Sequence, residues 1–154
     1  MADSGSGGQD AREDCLFCRI ADGTVPSYSV YAGDNLYAFL DIHPIRPGHL
    51  QLIPRAHYPY FDDLPPPLAA EMVHLGQRLA AILKELYEPP RVGFAFTGAD
   101  VPHVHAHVVP LHDQYDLTSR SYIVEPDVTF RLPPTPPEAE LRKTAERIRM
   151  VLGE

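Results

Sequence analysis

The chain has 154 residues, 44% of them hydrophobic, and a formal net charge of -8, which suits one domain with a core of its own. No apolar run approaches the roughly 20 residues of a membrane span, and no Lys/Arg cluster offers the phosphate neutralisation that non-specific nucleic-acid binding needs. A small anionic ligand remains open, held by local donors against the overall field.

Met1 to Asp14 is rich in Gly, Ser and Asp and lacks a signal peptide's apolar stretch. Residues 1–13 are therefore expected to be a disordered leader on a cytoplasmic chain. Asp14 to Ala21 reads as a short helix carrying Cys15-Leu16-Phe17-Cys18. That spacing means either a redox dithiol or half of a zinc site. Almost no strand-forming sequence precedes it, which favours zinc and requires two further ligands elsewhere.

Ser27 to Tyr31 and Leu36 to Asp41 read as strands joined at Gly33-Asp34-Asn35. The turn His43 to Gly48 leads into a strand, His49 to Ile53, and Pro54 to Pro67 is a proline-rich loop. Leu68 to Tyr87 is the clearest helix, with Leu68, Met72, Leu75, Leu79, Ile82, Leu83 and Leu86 at three- and four-residue steps. Pro89-Pro90 stops it, and Val92 to Phe96 is a strand before the turn at Gly98.

Residues 102 to 110 read Pro-His-Val-His-Ala-His-Val-Val-Pro. Alternate side chains of a strand share a face, so His103, His105 and His107 line one surface while Val104, Ala106 and Val108 turn to a core. Three aligned imidazoles can bind a metal, hold an anion or attack an electrophile. An exposed histidine-rich face and a metallohydrolase strand are the competing readings. Leu111 to Pro137 is irregular, and Glu138 to Leu152 is a final helix with Leu141, Ala145, Ile148 and Leu152 on one side. The pattern is α+β: an antiparallel sheet plus helices. His43 and His112 could approach a ligand site, although both read more readily as surface or turn residues, and His57 and His74 receive no role.

Cys15-x-x-Cys18, Phe39-Leu40-Asp41-Ile42, Arg46-Pro47-Gly48-His49 and the alternating histidines together resemble the histidine-triad (HIT) family. The match is closest to its HINT-like branch and to a zinc-containing bacterial type with Val-Pro-His before the triad. The resemblance runs from about Asp14 to Leu111. It implies a HIT-like fold: a five-stranded antiparallel sheet with one long helix, a short N-terminal helix and a C-terminal helix. The domain is expected at 14–112, with 113–154 as a C-terminal extension.

The resemblance implies a homodimer that hydrolyses or transfers nucleoside monophosphates through a nucleotidyl-histidine. His105 matches the nucleophile, and a backbone carbonyl on its own strand is expected to hold its second ring nitrogen. His107 is expected to donate to a phosphate oxygen. Zinc-containing relatives imply one zinc per chain on Cys15, Cys18, His49 and His103. Four protein ligands leave no position for water, so this zinc is structural. Leu16, Phe17, Ile20, Phe39 and Ile42 match the apolar base pocket of a purine nucleotide, and Asp41 the acid that holds the ribose hydroxyls.

The chain departs from the family pattern at Phe96-Thr97-Gly98-Ala99-Asp100-Val101-Pro102. An Asn found in many relatives is missing, Ala99 replaces Gln, and Asp100 replaces a serine near the phosphate. Thr97 or backbone N–H groups around Gly98 could substitute as donors, and Asp100 could pair with Arg46 or Arg120 or favour a cationic leaving group such as an amine. The altered stretch motivates a second reading, a nucleotide-binding or interaction protein with the same fold and zinc but little turnover.

Overall fold

The computed structural model describes residues 12–98, 101–113, 116–117 and 133–154. Five strands form one antiparallel sheet: β1 (Ser29–Ala32), β2 (Leu36–Leu40), β3 (Leu50–Pro54), β4 (Arg91–Thr97) and β5 (His105–Leu111). Their order is β1-β2-β3-β5-β4, so β3 is central and β4 lies at one edge. Helix α1 (Leu16–Ala21) precedes the sheet, α2 (Pro66–Tyr87) joins β3 to β4, and α3 (Glu138–Leu152) ends the chain. This is the expected five-stranded α+β fold with a short, a long and a C-terminal helix.

The period-two alternation of the strands sorts their side chains onto two covered faces. Leu36, Ala38 and Leu40 of β2, Leu50 and Leu52 of β3, and Ala106 and Val108 of β5 meet α2 and α3 in the main core. The opposite face carries a smaller core, in which Phe17, Cys18 and Ile20 of α1 pack with Phe39 and Ile53. His105 and His107 alternate with Ala106 and Val108, so they stand on the α1 side. Burial on both faces explains why β3 is buried at all five positions.

Two glycines allow close approaches. Gly76 of α2 lies where a Cβ would meet the Phe94 ring at 2.3 Å. Gly48 has φ +90, and a Cβ there would come within 2.5 Å of the Tyr87 ring.

The structure shifts several expected boundaries. Helix α2 starts at Pro66, inside the stretch expected to be loop, because prolines are compatible with a first helical turn that needs no N–H. The histidine strand starts at His105, so His103, expected on the strand, lies just ahead of it. Pro102 has no N–H for a ladder, and the His103 and Val104 amides bond instead to the carbonyls of Val101 and Tyr58. The leader expected at 1–13 lies almost wholly outside the described residues, as does most of the irregular 111–137 stretch.

Candidate functional site

The α1 side of the sheet carries a row of rings. The centroid of His105 lies 5.3 Å from that of His107, and Phe17 packs edge-on against both His103 and His105 at 6.0 and 5.1 Å. His103 and His105 are buried, and His107 is half-buried.

His105 Nδ1 lies 2.7 Å from the carbonyl oxygen of His103. A carbonyl can only accept, so Nδ1 carries the proton and Nε2 the lone pair. This acceptor lies on the same chain segment two residues earlier, as the sequence led us to expect. The Thr97 hydroxyl stands between two ring nitrogens, 3.3 Å from His105 Nε2 and 2.8 Å from His107 Nε2.

A second set of bonds fixes His107. The Ile45 N–H donates to His49 Nδ1 at 3.1 Å, which leaves the His49 proton on Nε2. That Nε2–H points at His107 Nδ1, 2.8 Å away, so the His107 proton sits on Nε2, facing Thr97. Burial pushes His49 down to about 4, with Asp41 opposing and His107 adding to the shift. His49 is therefore neutral near pH 7, as this chain of donors requires.

Cys15, Cys18, His57 and His103 bring their ligand atoms within 4.8 Å of one another. His103 Nε2 donates to the Pro54 carbonyl at 2.8 Å, which leaves the Nδ1 lone pair facing both sulfurs at 3.4 and 3.5 Å and His57 Nδ1 at 3.3 Å. Burial holds His103 down to about 4, keeping it a neutral ligand, and burial with the neighbouring Cys15 pushes the Cys18 thiol up to about 11. Two thiols and an imidazole lone pair converging on one buried point, with an outer carbonyl fixing the ring, fit a tetrahedral metal.

The expected ligand set therefore needs one correction. His57, given no role by the sequence, stands with the cysteines and His103, whereas His49 stands with His107 and Asp41. Antiparallel pairing dictates this. Leu50 pairs with Val108 and Leu52 with Ala106, so the start of β3 lies beside His107 and its far end runs toward His103. Asp41, His49 and His107 also lie within 4.8 Å of one another. Their ring nitrogens are committed to the directed hydrogen bonds above, which describe a proton-ordered network better than a metal shell.

Leu16, Phe17, Ile20, Phe39, Asp41 and Ile42 line a single cavity of about 220 Å³ beside the triad. Larger ones of about 460 Å³, among Arg12, Arg19 and Arg55, and about 520 Å³, beside Cys15 and His57, are lined neither by Phe17, whose ring packs on His105, nor by Asp41. In the apolar cavity Asp41 is the acidic group, its Oδ1 accepting from the His43 N–H at 2.7 Å and its Oδ2 from Gln51 at 2.8 Å. Thr97 lies among the triad rings. Arg46 pairs through two nitrogens with Asp116, at 2.9 and 2.8 Å; Asp100, Ala99 and Arg120 lie outside the described residues.

The HIT domain family model matches residues 22–114. The chain belongs to the HIT-domain family. This HIT chain is 30% identical over 109 residues to the "Protein hit" of Bacillus subtilis, covering 68% of the chain and 75% of that relative. It is 32% identical over 101 residues to an adenosine 5'-monophosphoramidase of Saccharomyces cerevisiae, covering 65% of the chain and 64% of the yeast protein. The crystal structure of a zinc-bound histidine triad family protein from Mycobacterium smegmatis superposes with a TM-score of 0.71 at 27% identity, covering 92% of this HIT chain and 95% of its own.

Proposed function

We propose that this HIT protein, of the HINT-like branch and its zinc-containing bacterial type, cleaves nucleoside monophosphate esters, phosphoramidates or anhydrides through a nucleotidyl-histidine on His105. The His105–His103 carbonyl bond carries the reading, because it aims a lone pair rather than a proton at the substrate side. Nε2 attacks the α-phosphorus, and the bond to the leaving group breaks with its electron pair. Water then attacks the same phosphorus and the P–N bond returns its pair to Nε2. His107 Nε2–H donates to a non-bridging oxygen, where the Thr97 hydroxyl stands in the free protein.

The purine base occupies the apolar cavity and Asp41 accepts from the ribose hydroxyls. Cys15, Cys18, His57 and His103 would hold one zinc per chain. With four protein donors it cross-links α1 to the far end of β3 and to the triad segment, and adds no reactive water.

The exposed edge supports a homodimer. Among the described residues β4 pairs on one side only, its Phe94 is exposed, and the exposed Phe61 packs against its Phe96. The Phe61 and Phe96 rings lie 4.4 Å apart, a ready apolar patch on an open strand. No described helix is long and apolar enough to cross a membrane.

The test is product release from an adenosine phosphoramidate by wild type and His105→Ala. Turnover lost by about a thousandfold or more in the variant supports the mechanism. Tight AMP binding without cleavage of any of the three substrate classes would establish the nucleotide-binding protein instead.

A further inference from the structure

Residues 133–154 lie beyond the family match at 22–114, yet they reach back to the loop that joins β2 to β3. Helix α3 is firmly seated: Leu141, Ala145 and Ile148 are buried in the main core, and the Arg149 guanidinium donates to the Ser29 carbonyl. Ahead of it runs Pro133-Pro134-Thr135-Pro136-Pro137. Four prolines in five residues restrict φ, so this segment acts as a stiff spacer between the helix and whatever it touches.

It touches His43. The His43 Nδ1 lies 2.9 Å from the Pro133 carbonyl and 3.4 Å from the Thr135 hydroxyl. The carbonyl accepts, so Nδ1–H donates, and the ring is tied to the C-terminal segment. The backbone N–H of the same residue donates to Asp41 Oδ1 at 2.7 Å. Behind the loop, Asp41, Gly48 and His49 share a small cavity of about 30 Å³ with Pro136, Glu140 and Leu141. The C-terminal segment is thus the back wall of the loop.

We infer that His43 is a positioning residue: latched by its ring to the Pro133 carbonyl, it holds its own N–H on Asp41 and so fixes the carboxylate for a ribose diol. Gln51 holds Oδ2, but a turn peptide free to rotate would leave Oδ1 unheld and let the carboxylate pivot about that one remaining bond. The latch removes that freedom before the nucleotide arrives, and preorganisation of this kind appears as affinity. The inference rests on the reading of Asp41 as the ribose-binding acid.

The experiment measures, by calorimetry, the affinity of the full chain for AMP and for 2',3'-dideoxy-AMP. Wild type, His43→Ala, His43→Phe and His43→Asn are compared. The Phe variant keeps a ring without a donor, and the Asn variant places an amide N–H near the Nδ1 position. Wild type is expected to prefer AMP by about 10-fold or more, since hydrogen bonds to a charged acceptor are the strong ones. His43→Ala and His43→Phe should weaken AMP about fivefold while leaving dideoxy-AMP within about twofold, and His43→Asn should recover most of the loss. A merely structural role would weaken both nucleotides alike, and that result overturns the latch. Wild-type discrimination left intact by His43→Ala and His43→Phe overturns it too, with the ribose reading standing. Equal wild-type affinity for both nucleotides overturns the ribose reading of Asp41 and the latch with it.

Discussion

His49 Nε2 lies 2.8 Å from His107 Nδ1, and this contact sets which nitrogen of His107 carries its proton. The order begins outside the triad, at the Ile45 N–H. A backbone amide cannot accept, so along the series Ile45 N–H, His49, His107 each of the two rings has one consistent tautomer. The His107 Nε2–H is thereby oriented by the loop that precedes β3.

Removing His49 should therefore impair chemistry without removing the metal. For His49→Ala we expect kcat to fall by about 10- to 100-fold, less than the roughly 100- to 1000-fold of losing an aimed donor outright, because the His107 ring stays in place. His49→Gln, whose side-chain amide N–H sits near the Nε2 position, should recover part of the loss. Steady-state kinetics together with metal analysis check this; an unchanged kcat in the Ala variant contradicts the tautomer argument.

His57 and His49 should separate cleanly in metal content. Wild type and His49→Ala should each hold about one zinc per chain, consistent with a four-donor structural site, whereas His57→Ala should lose most of it. The thermal stability gap between wild type and His57→Ala should close when both are treated with a chelator. Zinc lost from His49→Ala but retained in His57→Ala would reverse the assignment.

The His49 environment also predicts an acid limb. Its folded value of about 4 lies below its ordinary 6.5 because burial disfavours the charged ring. The unfolded chain therefore binds the extra proton first as pH falls. This contribution to stability is complete above about pH 6.5 and is lost between pH 6.5 and 4. From pH 7 to 5 it amounts to roughly 2 kcal/mol. Denaturant unfolding of wild type and His49→Asn at both pH values measures it: the variant should lose less stability over that interval, and parallel losses would count against a neutral, buried His49.

The edge strand offers a test of assembly. Phe94 is 36% exposed and stands 5.5 Å from the Phe96 ring, centroid to centroid, at right angles. Phe94→Arg puts a charge at the centre of the apolar patch, and sedimentation should show a monomer where wild type is a dimer. A dimer that survives the substitution places the interface elsewhere.

Much of this architecture was legible in the sequence because it obeys simple periods. The two-residue alternation of His105-Ala106-His107-Val108 sorts rings from core, and the leucine steps of 68–87 draw the long helix. Leu16, Phe17, Ile20, Phe39, Asp41 and Ile42, which lie apart in the sequence, line one cavity. His57 escaped because His49 and His57 flank the same strand, and composition says nothing about which end meets the cysteines. The signal was the strand pairing: an antiparallel neighbour carrying the triad must bring the start of β3 to His107. The latch at His43 was beyond sequence reasoning, since Pro133 and Thr135 lie 90 and 92 positions away in a stretch without periodicity.

On the proposed mechanism His105 forms a covalent bond to phosphorus. Intact-protein mass spectrometry after rapid mixing with an adenosine phosphoramidate, then an acid-free quench, tests it directly. Wild type should gain the mass of one adenylyl group per chain, and His105→Ala, folded and zinc-loaded, should gain none. An equal adduct on both proteins would place the nucleophile elsewhere, and sustained AMP release by His105→Ala would contradict the mechanism outright.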